Sequence, residues 1–358
     1  MAKKFYRLEK MNILLTCAGR RNYIVDYFRE ALREIGGKVF AANSTEYSTA
    51  LIASELGFVL PSIYDPNYIE VILKICQEFN INAVVSLFDL ELPILAQARD
   101  RFTEKNIFLV LSPEEIIEIC NDKWLTNIFL KEIGVLVPDT YQDIHAVEEA
   151  IKSRNINFPI IIKPRWGMGS IGLMEAENIE ELYVLYSKAI RAIENSYLST
   201  LSHRDINKAV LFQEKLNGQE FGLDVINNLE GKFIACVVKK KISMRSGETD
   251  VAMTVDDMSL RMLGERIGTK LGHLANLDVD VFKTDTGTYV LEMNPRFGGG
   301  YPFSHLAGVN LPKAIISWLQ GLEPDQDCFN ITYGIIGLKG VQLFSFEDGN
   351  FQKLSCLD

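Results

Sequence analysis

Apolar and polar positions alternate in blocks along the first third of the chain. "NILLT" (12–16), "KVFAAN" (38–43), "AVVSLF" (83–88) and "IFLVL" (107–111) are short, nearly unbroken apolar runs, the signature of strands buried on both faces. Between them the apolar positions recur at helical spacing over 22–35, 66–79 and 90–102. Pro93 sits in the first turn of the last of these, where a missing N–H is tolerated. Strands alternating with helices of this length predict a parallel sheet with crossover helices, a Rossmann-like unit over 11–111.

The pattern then changes. "SPEE" (112–115) reads as a helix start, with Ser112 as cap, Pro113 in the first position and acids in the first turn. Helical spacing continues over 113–120 and 124–133. "FPIIIKP" (158–164) is a strand, "RWGMGSIG" (165–172) a glycine loop and 178–194 a helix. From residue 209 long alternating stretches ("AVLFQEKL", "EFGLDVIN", "KFIACVVKKK") predict antiparallel strands. A helix is expected over 256–271. "LDVDVFK" (277–283) and "GTYVLEMN" (287–294) form a hairpin around "TDTG", and a last helix covers 312–320. The tail over 331–345 mixes strand-like and loop character. No internal repeat or low-complexity linker interrupts the chain. The fold class is α/β, becoming α+β in the C-terminal part.

Composition narrows the partners. The 358 residues carry a net charge of −10, which argues against nucleic acid or an anionic membrane surface as the main partner. The six cysteines include no CxxC pair and the four histidines are scattered, so a zinc site or disulfide framework is not expected and a cytoplasmic location is. No apolar run is long enough to span a bilayer. The basic start, MAKKFYRLEKMN, lacks the apolar centre of a signal peptide and reads as an arm or as an upstream start before Met11.

Within this frame four stretches carry chemistry. In the hairpin, residues two apart share a face, so Asp278 with Asp280, and Glu292 with Asn294, form oxygen-rich pairs. If the register joins them, they suit magnesium, which keeps waters and borrows phosphate oxygens. A solvated edge hairpin is the plain alternative, but "NPRFGGG" turns the chain where the ligands end and leaves Arg296 beside them. Gly167, Gly169 and Gly172 allow backbone N–H groups to approach anionic oxygens, although the spacing is neither a Walker loop nor GxGxxG. Lys163 closes an apolar strand, and a buried lysine needs an anionic partner. In "QEKLNGQE" (213–220), Glu214 and Glu220 flank a turn and could accept from an exocyclic amine and ribose hydroxyls; alone, this is a polar hairpin. Lys123 in "NDKW" lies in a helix's first turn, tolerable if a phosphate is near.

Together, NDK at 121–123, IIKP at 161–164, the glycine loop, QE-x-L-x-G-x-E at 213–220 and LEMNPR at 291–296 occur in the order of the ATP-grasp superfamily. The chain resembles a stand-alone relative of the large chain of carbamoyl phosphate synthetase, over about 11–325. The resemblance implies a Rossmann-like preATP-grasp domain (11–111), a small lobe with the glycine lid (112–205) and a large lobe with the metal site and a C-terminal extension (206–358). It implies ATP and two Mg2+ ions as cofactors, with Mn2+ able to substitute. Lys123 and Lys163 would contact phosphates, and Gly167, Met168, Gly169 and Ser170 would close over them. Glu214, Lys215 and Leu216 would border the adenine, with Glu220 on the ribose. Asp280, Glu292 and Asn294 would hold the metals, although Asp280 stands where Gln or Glu is usual. Arg296 would stabilise the transferred phosphoryl group.

The stretch "KKKISMRSGETD" (239–250) adds Lys239, Lys241 and Arg245 as cations facing triphosphate or a substrate carboxylate, and Glu248 facing an amino group; an exposed basic loop is the plain reading. Gly298 and Gly299 would leave room for the acceptor, and His305 would line its pocket or simply begin a helix. In the N-terminal unit Arg20, Arg21, Asp89 and Glu91 lie at carboxyl ends of strands, where open sheets bind ligands. The expected activity is an ATP-dependent ligase that activates a carboxylate as an acyl phosphate and joins it to an amine, with an amino acid as one substrate. A homodimer fits the apolar helices of the N-terminal unit. The alternatives are a carbamate or carboxy-phosphate kinase, a nicotinamide-dependent oxidoreductase, against which "TCAGRRN" lacks the glycines, and a non-catalytic nucleotide sensor.

Overall fold

The computed structural model describes residues 10–167, 172–196, 198, 206–245, 247–345 and 351–353. Its three sheets correspond to the changes of pattern. The first is parallel: β1 (Asn12–Thr16), β2 (Val39–Asn43), β3 (Gly57–Val59), β4 (Ile81–Ser86) and β5 (Phe108–Leu109). The second, four-stranded, holds β6 (Thr140–Tyr141), β7 (Ile160–Pro164), β8 (Met174–Ala176) and β9 (Val210–Glu214). The third is antiparallel: β10 (Gln219–Asn227), β11 (Phe233–Arg245), β12 (Glu248–Thr254), β13 (Ala275–Lys283), β14 (Thr288–Asn294) and β15 (Ile336–Leu338), in the order β14-β13-β10-β11-β12-β15. A last strand, β16 (Phe351–Lys353), returns to pair in parallel with β3 at the edge of the first sheet.

The parallel sheet is buried between two apolar layers because its strands are apolar on both sides. Ile13 and Leu15 face one layer, which includes Phe28, Leu32 and the helix Leu311–Leu319, while Leu14 and Val84 face the other. The helix Asn22–Leu32 buries Ile24, Val25, Phe28, Ala31 and Leu32, the stripe that a 3.6-residue period aligns. Each such large aliphatic or aromatic side chain contributes roughly 1.5–3 kcal/mol of burial. The small sheet packs against the helix Ile179–Glu194 through Ile160, Ile162, Leu182 and Ala189.

Several local expectations are corrected. The single helix over 90–102 is two, Leu92–Gln97 and Arg99–Glu104, broken at Ala98. Ser112 does not cap: Pro113 holds the cap position without a side-chain bond, and the buried Ser112 hydroxyl accepts from the Leu274 N–H at 2.9 Å. The short elements β3, β6 and the helix Thr49–Ala53, and the amphipathic helix Ile144–Lys152, were not expected. The small sheet draws β9 from beyond residue 205. Among the described residues no helix is long and apolar enough to cross a membrane.

Candidate active site

The third sheet makes the site by strict alternation. Inward-facing Leu223, Val225, Leu277, Val279, Val281 and Met293 pack against the helix Met258–Leu271. The residues between them point to the opposite face. Register then aligns polar side chains across four strands. Lys239 stands opposite Gly222, Gly222 opposite Asp280, and Asp280 opposite Glu292. One step along, Asp224 stands opposite Asp278, and Asp278 opposite Asn294.

Ion pairs lock this face. Lys241 donates to Glu220 and to Asp280, both at 2.6 Å. Lys239 is buried against Asp224, which also accepts from Ser304 Oγ and, at 3.1 Å, from Asn276 Nδ2. Arg296 bridges the domains: it binds Asp89 at 2.9 Å and Asp278 at 3.1 Å with only 7% of its side chain exposed. Burial alone would weaken that charge, but the two carboxylates raise the guanidinium's pKa above its ordinary value. Gly298 makes room for this clamp, because a Cβ there would stand 2.2 Å from the Asp278 carboxyl carbon.

A cleft of about 390 Å3 opens between this face and the small sheet. Lys123, Lys163, Glu214, Glu220, Asp280 and Glu292 supply its polar lining; Ile161, Leu173, Leu216, Met244, Phe282 and Leu291 its apolar walls. Lys163 donates to the neutral Gln213 Oε1 at 2.7 Å, and no ion pair to it is found among the described residues. Burial, reinforced by Lys123, pushes its pKa down to about 8. Lys123 donates to the Gly167 carbonyl and stands 3.8 Å from Glu292. Glu292 would be raised by burial, yet Lys123, Lys163 and Arg296 together hold it below the ordinary range. Asp280 goes the other way, raised by burial and by Asp278 and Glu292 against the pull of Lys241.

A second cleft of about 160 Å3 shares Gly247, Asp280 and Glu292 with the first. Arg21, Lys239, Lys241, Glu248, Thr249, Asp278, Asn294, Arg296 and Gly299 border it. Asp89 reaches this region through Arg296.

Other expected residues lie outside both clefts or, like Lys215 and Glu214, border the first while engaged by protein partners. Glu91 is fully buried, accepting from Thr16 Oγ1 at 2.8 Å and from Tyr68 and Ser86 hydroxyls at 2.6 Å, away from both clefts. His305 stacks on Tyr27 with ring centroids 3.6 Å apart and lines neither cleft. Arg20 points outward and meets Glu248 at 3.8 Å, whereas its neighbour Arg21 faces the second cleft. Arg245 is exposed and pairs with Asp250 at 2.8 Å, and Lys215 pairs with Glu175 at 2.5 Å. The Glu214 carboxylate accepts from the Asp139 N–H at 2.9 Å. Met168, Gly169 and Ser170 lie outside the described residues.

Two residues beside the first cleft, both within motifs quoted above, make contacts that the sequence did not indicate. Asp122 caps the helix Lys123–Glu132 through Trp124 and Leu125 N–H groups and also binds Arg165 in a fork at 2.7–2.9 Å and Trp166 Nε1 at 3.1 Å. It thereby ties Lys123 to the base of the glycine loop; an Asp immediately before a helix was the available signal. Gln213 stands first in QE-x-L-x-G-x-E, but nothing in that motif pairs it with Lys163.

Asp280 and Glu292 are adjacent hard oxygen donors, with Asn294 two positions on, and their mutual repulsion is one that a cation relieves. No group of three His, Cys, Asp or Glu side chains converges among the described residues. The arrangement therefore fits a magnesium that completes its shell with phosphate oxygens and water rather than with an all-protein cage.

Residues 13–110 match the family model described as "PylC-like, N-terminal domain", and residues 207–336 match "ATP-grasp in the biosynthetic pathway with Ter operon". The carbamoyl phosphate synthase large chain of Helicobacter pylori is 26% identical over 261 residues, covering 70% of this chain and 23% of that one. The chain thus spans about a quarter of the length of the curated relatives it matches. The L-amino acid ligase of Bacillus licheniformis is similar in structure at a TM-score of 0.68 and 20% identity, over 88% of this chain and 76% of that one. The biotin carboxylase domain dimer of the 2-oxoglutarate carboxylase of Hydrogenobacter thermophilus, solved with MgADP, ADP and bicarbonate, gives a TM-score of 0.69 at 18% identity, over 93% and 74%. The chain thus carries an ATP-grasp domain over 207–336 behind a PylC-like N-terminal domain over 13–110, in agreement with the motif order and the shared fold.

Proposed function

We propose that the protein is an ATP-dependent carboxylate–amine ligase. The observation that carries this reading is the junction of the two clefts at Asp280 and Glu292: one side offers underpaired lysines and apolar walls, the other arginines and a glycine floor. ATP would lie in the first cleft, its base between Ile161, Leu216 and Leu291 and its phosphates at Lys123 and Lys163. Asp280, Glu292 and Asn294 would hold magnesium, two ions when fully loaded and Mn2+ in substitution, which neutralises charge on the phosphates. A substrate carboxylate in the second cleft, oriented by Arg296, attacks the γ-phosphorus in line; the bond to ADP breaks and an acyl phosphate forms. The amine nitrogen then attacks the acyl carbon, phosphate leaves and the amine's proton passes to solvent. Closure of the glycine loop would keep water from the anhydride.

Arg245, exposed and paired with Asp250, is placed as a rim residue in this scheme, and Lys239, at the wall of the second cleft, holds the buried Asp224 in position. The substrates are small molecules, and the cytoplasm suits the five unpaired cysteines among the described residues. A homodimer is a candidate assembly, the related biotin carboxylase domain being described as one. The test is ADP and phosphate release with Mg-ATP across pairs of small acids and amines, with mass spectrometry of the product. Acid-dependent release with an amide product is expected; acid-independent hydrolysis, or none with any pair, overturns the reading.

A further inference from the structure

The cations of the second cleft are unequal. Lys239 has Asp224, Lys241 has Glu220 and Asp280, and Arg296 has Asp89 and Asp278. Arg21 alone among these four has no ion pair among the described residues. Its side chain donates to the Leu87 carbonyl, and the Tyr23 phenol stands beside it; both partners are neutral. Burial weakens its charge and the nearby Arg296 weakens it further; Tyr23, Asp89 and Glu248 offset part of this, but neither carboxylate forms an ion pair with it. A guanidinium carries five donors in a planar fork that matches a carboxylate or phosphate. Desolvating that charge beside a second cation, with the nearest carboxylates out of ion-pair contact, is costly unless an anion arrives from outside.

Position adds to the argument. Arg21 comes from the parallel-sheet domain, whereas Arg296, Asp280 and Glu292 come from the large antiparallel sheet, and all four border the same cleft. A substrate carboxylate held at Arg296 for phosphorylation would leave Arg21 for a different group of the same molecule. The neighbouring exposed Arg20 already meets Glu248, so it does not compete for this role.

We infer that the acid activated by this enzyme carries a second anionic group, a carboxylate or a phosphate, which Arg21 binds at the end of the cleft away from ATP. The inference rests on the ligase reading for the location of the first carboxylate. Arg21 is then a specificity residue that spans the two domains, and a monoanionic acid leaves it uncompensated.

The test is calorimetry on the full chain with Mg2+ and a non-hydrolysable ATP analogue, using succinate, phosphonoacetate and butyrate as probes. One or both dianions should bind about tenfold or more tightly than butyrate, the size of one charge-assisted fork contact; which of them binds distinguishes a carboxylate from a phosphate-like group. Arg21→Ala should erase that preference and leave butyrate and the ATP analogue unchanged. Arg21→Lys should retain a reduced preference, and Arg20→Ala the full one. Equal binding of butyrate, absence of dianion binding, a preference that survives Arg21→Ala, or an equal loss of ATP-analogue affinity in that variant overturns the inference. Arg21-dependent dianion binding without phosphate release on addition of any amine would instead sink the ligase reading. Turnover of monoanionic acids alone would spare the ligase reading and sink this one.

Discussion

The two clefts meet at the same pair of carboxylates and yet treat charge in opposite ways. In the first, Lys163 leans on an amide and Lys123 on a carbonyl, with Glu292 3.8 Å away. In the second, Arg296, Lys239 and Lys241 are each tied to carboxylates at hydrogen-bond distance. A cation left underpaired in a buried place is ready to accept a ligand's negative charge, whereas a paired one is already fixed in position. The first cleft is built to receive charge and the second to orient it, with Arg21 as the exception.

The harshest way to break this comparison is at the shared carboxylates. Glu292→Gln removes the anion on which both clefts converge, and phosphate release should fall by about a thousandfold or more while the fold survives, as circular dichroism would verify. Turnover near that of the parent would remove Glu292 from the metal site. Gly298→Ala acts on the second cleft only. Its methyl would collide with Asp278, displace it from Arg296 and lower kcat roughly a hundredfold through lost positioning, with ATP-analogue affinity kept.

Lys163→Met acts on the first cleft only. Nucleotide affinity should drop on the order of tenfold to a hundredfold by calorimetry. The free protein's Tm should hold or rise, because an underpaired buried charge is replaced by an apolar side chain of similar length. A Tm loss as large as that of a core truncation would show Lys163 to be structurally paired. The smallest effect is a pH dependence. Lys163, with a pKa of about 8 in the free protein, gains a phosphate partner on binding, which raises it. Nucleotide affinity is therefore full below pH 8 and declines above it, by up to about tenfold per unit until the bound-state pKa is reached. Binding of an acid at the arginine cleft should stay level over the same range, since guanidinium does not titrate there. Lys163→Arg should flatten the nucleotide profile.

Much of the site was legible because strand periodicity is strict. Asp278, Asp280, Glu292 and Asn294 could be assigned to faces from spacing alone, since a two-residue period leaves no choice once a strand is granted. Arg20 and Arg21 show where that reasoning stops. Adjacent in a loop at a strand's end, they carry the same charge, and only the packing of the helix Asn22–Leu32 turns one outward and the other to the cleft. Glu91 and His305 have the chemistry and the place in the chain of site residues, but the first fills a nest of hydroxyls and the second stacks on Tyr27. Ser112 had the chemistry of a cap and instead accepts from Leu274, a contact 162 residues away that no local window contains.

The sequence by itself determined the order of strands and helices, the alternation that divides the large sheet into a core face and a polar face, and the motifs that identify the superfamily, because these depend on neighbours within a few residues. Tertiary structure alone decided the partners: Arg296 with Asp89 across the domains, Lys163 with Gln213, Asp122 with Arg165, and Arg21 with no ion pair among the described residues. Charge pairing is set by distances through space between segments far apart in the chain, and register between non-adjacent strands fixes those distances only once the whole sheet has formed.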